Sequence, residues 1–273
     1  MSKKVWKRIV AVLLVFALIW GGFGLSSYKP QKQKIAGIDL LCDWYDEYKI
    51  NGSEESEIKD VDGIVREQAT TYYLGSGVMY ATKRSGGKLG GFYAVSIGYR
   101  AKRKSDGKKG FVTCAHGVKD SIDKYIYTTS GTKIGKIEKS VLNSTCDASF
   151  VSVLSGATIS NKTNGKSAYV TVTSSVVTVK KGDKIAMCGM SSGLVGGKKV
   201  LDTSARGYVG GVYTTGMIKT EPMSKNGDSG APVFKVVNGT VKLVGIIKGG
   251  DGVNMSYVIK AGTINSKLGI TPY

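Results

Sequence analysis

The chain has 273 residues, 38 of them Gly and only 4 Pro, with 4 Cys, 1 His and a formal charge of +19. Short alternating runs rich in Val, Ile, Thr and Tyr, punctuated by glycine, exclude a helical bundle, and strands that do not alternate with helices exclude a doubly wound sheet. The length suffices for a large core, there is no internal repeat, and no helix or aromatic-interleaved basic cluster marks a nucleic-acid site. The positive field instead fits anionic cell-surface polymers as partners.

In chain order, Lys3, Lys4, Lys7 and Arg8 precede an apolar run from Ile9 to Trp20 and then small residues. That is the layout of an export signal over residues 1–27. The run falls short of the ~20 residues of a full span, and only extension through the glycines to Leu25 would make it an uncleaved anchor. Either way the rest of the protein is expected outside the cytoplasm, secreted or extracellular, touching a membrane only through this segment. Residues 28–70 form an acidic pro-segment or linker: between Ile35 and Thr70 ten acids face three bases. From residue 71 to 273 the pattern becomes that of one domain. Strands are predicted in "FYAVSIGY", "KGFVTCA", "KYIYTT", "ASFVSVL", "AYVTVTSSVVTV", "KIAMCGM", "ARGYVGGVYTT", "APVFKVV" and "VKLVGIIK". The "NGT" at Asn238 to Thr240 reads as a hairpin turn, and "AGTINSKLGI" as a short terminal helix. The class is all-β, antiparallel barrels or a sandwich.

The stretch "KNGDSGAPVF", residues 225–234, brackets Ser229 with glycines just before an apolar strand. A serine hydroxyl attacks a carbonyl only when a base takes its proton and donors receive the developing negative charge. Gly227 and Gly230 permit a tight backbone from which the amides of Gly227 and Ser229 converge as an oxyanion hole. His116, in "FVTCAHGV", is the single histidine and sits where an apolar strand gives way to a loop, a position from which a rigid scaffold presents a working residue. Asp147, in "CDASFVSVL", begins an alternating strand that would hold it against the imidazole. Asp120 and Asp123 lie in a polar turn and read as solvated. Cys42, Cys114, Cys146 and Cys188 form an even set without metal-site spacing; neither a metal nor a cofactor is expected, and three disulfide pairings are open.

"TCAHG", "CDASFV" and "NGDSGAPVF" together resemble the three signature blocks of the chymotrypsin-like serine peptidases. The stretch before His116, with "KGDKIAMCGMSSG" and "LVGIIKGGDGVN", is similar to the secreted bacterial branch of streptogrisins and alpha-lytic protease. The resemblance covers roughly Thr71 to Tyr273. It implies two packed six-stranded antiparallel β-barrels with a short C-terminal helix and a cleft holding His116 as general base, Asp147 as its partner, and Ser229 as nucleophile, with Gly227 and Ser229 as the oxyanion hole. It places Met223 at the base of the pocket for the residue before the scissile bond, with Lys248, Gly249, Gly250 and Asn254 as walls. Met223 argues against a preference for Lys or Arg. The two glycines leave room for an apolar side chain, an inward Lys248 would favour an acidic one, and a single histidine excludes histidine-assisted recognition of glutamate.

The chain also departs from that branch. Gly117 follows the histidine where a cysteine is usual, which makes Cys114 with Cys146, and Cys42 with Cys188, the disulfide candidates. Asp228, before the serine, is the residue the family buries in an ion pair, yet Gly189 stands where this branch supplies an arginine. A new amine released near "GIVRE", Gly63 to Glu67, would be a substitute. The resulting expectation is an exported serine endopeptidase, activated from a zymogen, that acts on protein or peptide substrates through an acyl-enzyme. Against it stand an esterase with the same triad and a catalytically silent basic module that binds cell surfaces.

Overall fold

The computed structural model describes residues 69–273 except 86, 166–168 and 210, so the expectations for residues 1–27, the acidic segment before residue 69, Cys42 and Gly63 to Glu67 lie outside the described residues. The first half comprises β1 (Thr70–Leu74), β2 (Gly77–Ser85), β3 (Lys88–Ser96), β4 (Arg100–Arg103), β5 (Lys109–Thr113), the helical turn α1 (Ala115–Val118), β6 (Tyr125–Thr128), β7 (Lys133–Leu142), β8 (Asp147–Val153) and β9 (Ala157–Thr163). The second comprises β10 (Thr173–Val176), β11 (Lys184–Gly189), β12 (Gly193–Val209), β13 (Val212–Thr220), β14 (Pro232–Val237), β15 (Thr240–Gly250), β16 (Ser256–Lys260), α2 (Ala261–Leu268) and β17 (Ile270–Pro272).

Two sheets organise these strands. In the first, β4, β5, β8, β7, β6, β2 and β3 are neighbours in that order. The amide of Ile97 donates to Ser76 O, that of Gly98 to Val112 O and that of Val112 to Tyr99 O, at 2.8 to 2.9 Å. These bonds carry β3 across residues 97–99 into β4, so one bent strand pairs with β2 at one end and β5 at the other and closes a six-stranded ring. The second sheet closes directly: β15, β14, β11, β12, β13 and β16 pair antiparallel in turn, and β16 returns to β15. Beyond the two rings, β1 pairs with β9 and β10 with β15, both parallel, and β17 crosses back to pair with β4. These additions bind the chain ends onto barrels that by themselves match the antiparallel expectation.

Local sequence explains the corners. Asn238 and Gly239 both take left-handed torsions (φ 51° and 73°), as a two-residue hairpin requires, and join β14 to β15 in the register Val237 to Thr240. The helix α2 ends on Gly269, also left-handed, whose amide returns to Asn265 O. β8 is buried on both faces, because it lies between β5 and β7 inside the sheet while its side chains meet the barrel core and both helices. The reading of "ARGYVGGVYTT" as one strand gives way to a hairpin of the seventeen-residue β12 with β13, which pair antiparallel up to Val209 and Val212.

One core gathers Phe111, Phe150, Ile126 and Ile134 of the first barrel with Leu74 of β1 and with Phe234 and Ile246, and a second, inside the other barrel, gathers Ile185, Met187, Val200, Ile218, Val233 and Val258. Gly245 is where β15 and β16 approach too closely for any side chain: a Cβ there would lie 2.0 Å from Ile259 O. Backbone cannot swing aside as a side chain can. Gly245→Ala is therefore expected to lower stability by about 2 kcal/mol or more in denaturant unfolding, at the upper part of the overpacking range; an unchanged midpoint would contradict this register.

Candidate active site

β5 delivers its last buried residue, Thr113, and then Cys114, into α1, so that His116 stands on the first turn after a rigid strand with its side chain 17% exposed. Asp147 opens β8, wholly buried. One carboxylate oxygen, Oδ1, accepts the backbone amides of Ala115 and His116 at 2.8 Å each, and the other, Oδ2, accepts the imidazole Nδ1–H at 2.7 Å. The carboxylate thus fixes both the backbone and the ring of His116, which leaves Nε2 as the proton acceptor. Burial disfavours the imidazolium, but the Cys114 sulfur and the Asp147 carboxylate outweigh it, and the pKa of His116 is raised. Burial likewise works against the Asp147 carboxylate, yet the hydrogen bond and charge of His116 and the ammonium of Lys248 overcome it and bring that pKa down to about 2. Asp123 serves its own turn instead, where its carboxylate receives the Tyr127 hydroxyl and the Tyr125 amide.

Ser229 lies half-buried on the loop between β13 and β14. Its hydroxyl meets Lys248 O at 3.5 Å, and among the described residues no direct hydrogen bond joins it to His116. Such bonds are often long until a substrate is seated. The two segments nonetheless abut. Ser96, at the end of β3, donates its amide to Ser229 O at 2.9 Å and its hydroxyl to Gly227 O at 2.9 Å, and receives the Met190 amide. Gly230 (φ 88°) comes so near that a Cβ would lie 2.4 Å from Thr113 Oγ1 and 2.9 Å from Cys114 N. The sequence pattern does not single out Ser96; its only signal is a serine ending an apolar strand that faces the nucleophile loop.

The loop from Lys225 to Gly230 has most of its polar backbone groups engaged. The amide of Asp228 donates to Lys225 O, that of Gly230 to Ile247 O and that of Ala231 to Asp228 O, while Asn226 O receives the Ser191 hydroxyl at 2.6 Å. The amides of Gly227 and Ser229, like that of Asn226, donate to no acceptor among the described residues. The left-handed torsion of Gly227 (φ 95°) turns its peptide, and a Cβ there would lie 2.6 Å from Ser191 Oγ. Two unspent amides flanking a serine are what an oxyanion hole consists of.

Asp228 corrects one expectation. It is fully buried and needs no cation: Oδ1 accepts the amides of Ser191 (2.9 Å) and Ser192 (3.1 Å), and Oδ2 accepts the Ser192 hydroxyl (2.6 Å) and the Lys225 amide (2.8 Å). Four donors satisfy a carboxylate's lone pairs without an ion pair. Gly189 permits this, since a Cβ in its place would lie 2.2 Å from Asp228 Oδ1.

Lys248 corrects another. It is neither solvated nor turned into a substrate pocket: its side chain is 0% exposed and its ammonium lies 2.6 Å from Asp147 Oδ2, across the junction of the two barrels. Met223 packs in the second core, and its amide, with that of Ser224, is held by Ser256 Oγ. Gly249 and Gly250 follow Lys248 at the end of β15, but Asn254 sits in an exposed turn, bonded through its amide and side chain to Asp251, and forms no wall.

Cys114 and Cys146 are buried free thiols, so the bridge between them does not form. The Cys114 sulfur fills the space above Gly117, where a Cβ would meet it at 2.7 Å and Val95 at 2.4 Å, whereas Cys146 sits near Tyr99 and Lys267, its thiol pushed up to about 12 by burial and the Asp147 charge. The glycine after the histidine and the cysteine two residues before it are one exchange of volume. Cys188 is buried, with its sulfur 3.5 Å from Asn164 Oδ1.

No family model matches the chain, and no curated protein matches it. Solved structures do. The Nocardiopsis protease is 20% identical, with 74% of this chain covering 99% of that one at a TM-score of 0.59. Thermobifida fusca protease A is 20% identical, with 74% and 98% covered and the same score. A glutamic acid specific serine protease that uses a histidine triad in substrate binding is 19% identical, with 74% and 100% covered at 0.61. The chain has the chymotrypsin-like double-barrel fold of these bacterial serine proteases.

Proposed function

We propose that the protein is a serine endopeptidase working through an acyl-enzyme. The observation that carries this reading is the pair of uncommitted amides at Gly227 and Ser229 beside an accessible hydroxyl, with a His116–Asp147 pair of fixed tautomer on the abutting segment. Ser229 Oγ attacks the scissile carbonyl carbon as its proton passes to His116 Nε2. Asp147 stabilises the imidazolium, and the carbonyl oxygen, now negative, takes hydrogen bonds from the two amides. His116 then returns the proton to the leaving amine, and water repeats the sequence to release the acyl group. The export signature over residues 1–27 supports a site of action outside the cytoplasm, and the acidic stretch up to residue 70 supports a covering segment removed on activation.

The substrate side chain before the scissile bond is read as uncharged. The glycines that end β15 leave space, and Lys248, committed to Asp147, does not await an acidic group. One histidine in the whole chain rules out a histidine triad for glutamate. The silent-module reading loses its main support now that Asp228 is satisfied by neutral donors.

The test is covalent labelling by a fluorophosphonate, comparing the full chain, a chain trimmed to Thr71, and Ser229→Ala in each form. Labelling that disappears completely in Ser229→Ala is expected, with the trimmed form faster than the full chain. Folded protein that takes no label in either form would end the enzymatic reading.

A further inference from the structure

Lys248 closes a run, Leu243 to Ile247, that is buried on both faces of β15, and the strand carries it into the junction between the barrels. Its ammonium does not merely neutralise Asp147 from behind. It donates to Oδ2, at 2.6 Å, the same oxygen that takes the Nδ1–H of His116 at 2.7 Å, while Oδ1 is filled by the amides of Ala115 and His116. A buried lysine next to a carboxylate is usually a structural pair. Here the carboxylate is also the partner of a titrating ring, so one negative charge serves two cations whenever that ring is protonated.

The other groups facing this trio are few. Cys114 lies beside His116 from the start of α1, and Cys146 beside Asp147 and Lys248 from the start of β8; Lys267 of α2 acts on Cys146, as Tyr99 does, and Tyr80 of β2 on Cys114. Among the described residues no further carboxylate reaches the site. A resting site with neutral His116 holds one positive and one negative charge. Protonation of the ring leaves a net positive charge on a largely buried trio, and that excess is cancelled when negative charge forms at the amides of Gly227 and Ser229.

We infer that Lys248 is a positioning residue: through Asp147 Oδ2 its ammonium keeps the carboxylate ionised and lowers the pH at which resting His116 takes a proton, opposing the imidazolium more in the empty site than in the transition state. As a statement about catalysis it rests on the triad proposed above, and as a statement about the ring it does not. Interactions that differ between resting and transition states raise the rate of the chemical step, whereas uniform ones do not.

The experiment exploits the single histidine. The imidazole nitrogen and carbon-bound proton signals of the full chain can come only from His116, so its midpoint is read by NMR without assignment. Lys248→Met and Lys248→Gln are expected to raise that midpoint by about one pH unit or more, the size of a nearby uncompensated charge in a partly screened interior, while Lys248→Arg stays near the parent. Gln keeps a donor toward Oδ2 and guards against loss of the fold. In the parent itself the Lys248 Nζ signal is expected to shift with the same midpoint as the ring, which needs no substitution. An unmoved or lowered midpoint in the neutral variants, or an ammonium signal blind to the ring, overturns the inference. The acid limb of fluorophosphonate labelling is expected to move with the ring. A ring that shifts in protein that never labels would uphold the charge coupling and sink the peptidase reading, and labelling with an unshifted ring would do the reverse.

Discussion

Asp147→Asn is expected to lower the fluorophosphonate labelling rate by about 10⁴ and, in the same molecule, to remove about 3–5 kcal/mol of stability. The first effect follows from tautomer control: an amide nitrogen opposite Nδ1 donates to it, so the ring proton sits on Nε2 and the base is lost. The second is specific to this chain, because the ammonium of Lys248 then lies 0% exposed without its counter-charge. The double variant Asp147→Asn with Lys248→Met should recover much of the stability and none of the labelling. Equal denaturant midpoints for Asp147→Asn and the parent would mean that Lys248 leaves the junction. The parent should show the same linkage in acid. The folded-state pKa of Asp147 is depressed from an ordinary 3.8 to about 2, so its contribution is fully present above pH 4 and is lost as pH falls from there toward 2.

Most of the barrel architecture and the pairing of His116 with Asp147 were legible because their signals are local. Alternating apolar strands ending in glycine turns, a histidine at a strand end, an aspartate opening a strand and a serine between glycines each report on their own few residues. What escaped depends on which distant groups meet. "LVGIIK" reads as an apolar strand with its lysine as a pocket wall; that the lysine is buried and its head finds Asp147, 101 residues earlier, was set by the packing of the two barrels. Asp228 was expected to need a cation because a buried carboxylate must be compensated. The compensation came instead from "MSSG", whose two serine amides and one hydroxyl turn toward it. β1, β9 and β10 were missed or overextended for a related reason: their parallel partners lie far along the chain, and short half-exposed segments carry little period of their own. Counting four cysteines in a chain expected to be exported favoured bridges, but pairing needs the two sulfurs to face each other, and the volume above Gly117 claims that of Cys114.

Restoring the missing arginine is expected to fail. Gly189→Arg and Gly189→Ala both introduce a Cβ that would lie 2.2 Å from Asp228 Oδ1 and 2.6 Å from its carboxyl carbon, and Asp228 cannot yield without releasing the donors of Ser191, Ser192 and Lys225. Those same contacts hold the loop that carries the amides of Gly227 and Ser229, the oxyanion donors of the proposed reaction. Displacing it should cost about 10²–10³ in labelling rate, the effect of losing one oxyanion donor, with a stability loss of about 1–3 kcal/mol from overpacking. Ser192→Ala separates the two causes, since it removes one of the four donors without adding volume, and its loss should be smaller than that of Gly189→Ala. Had the cation been the element this site lacks, arginine would accelerate labelling while alanine slowed it; equal losses in both would show that neutral donors already complete the carboxylate and that glycine is what gives them room.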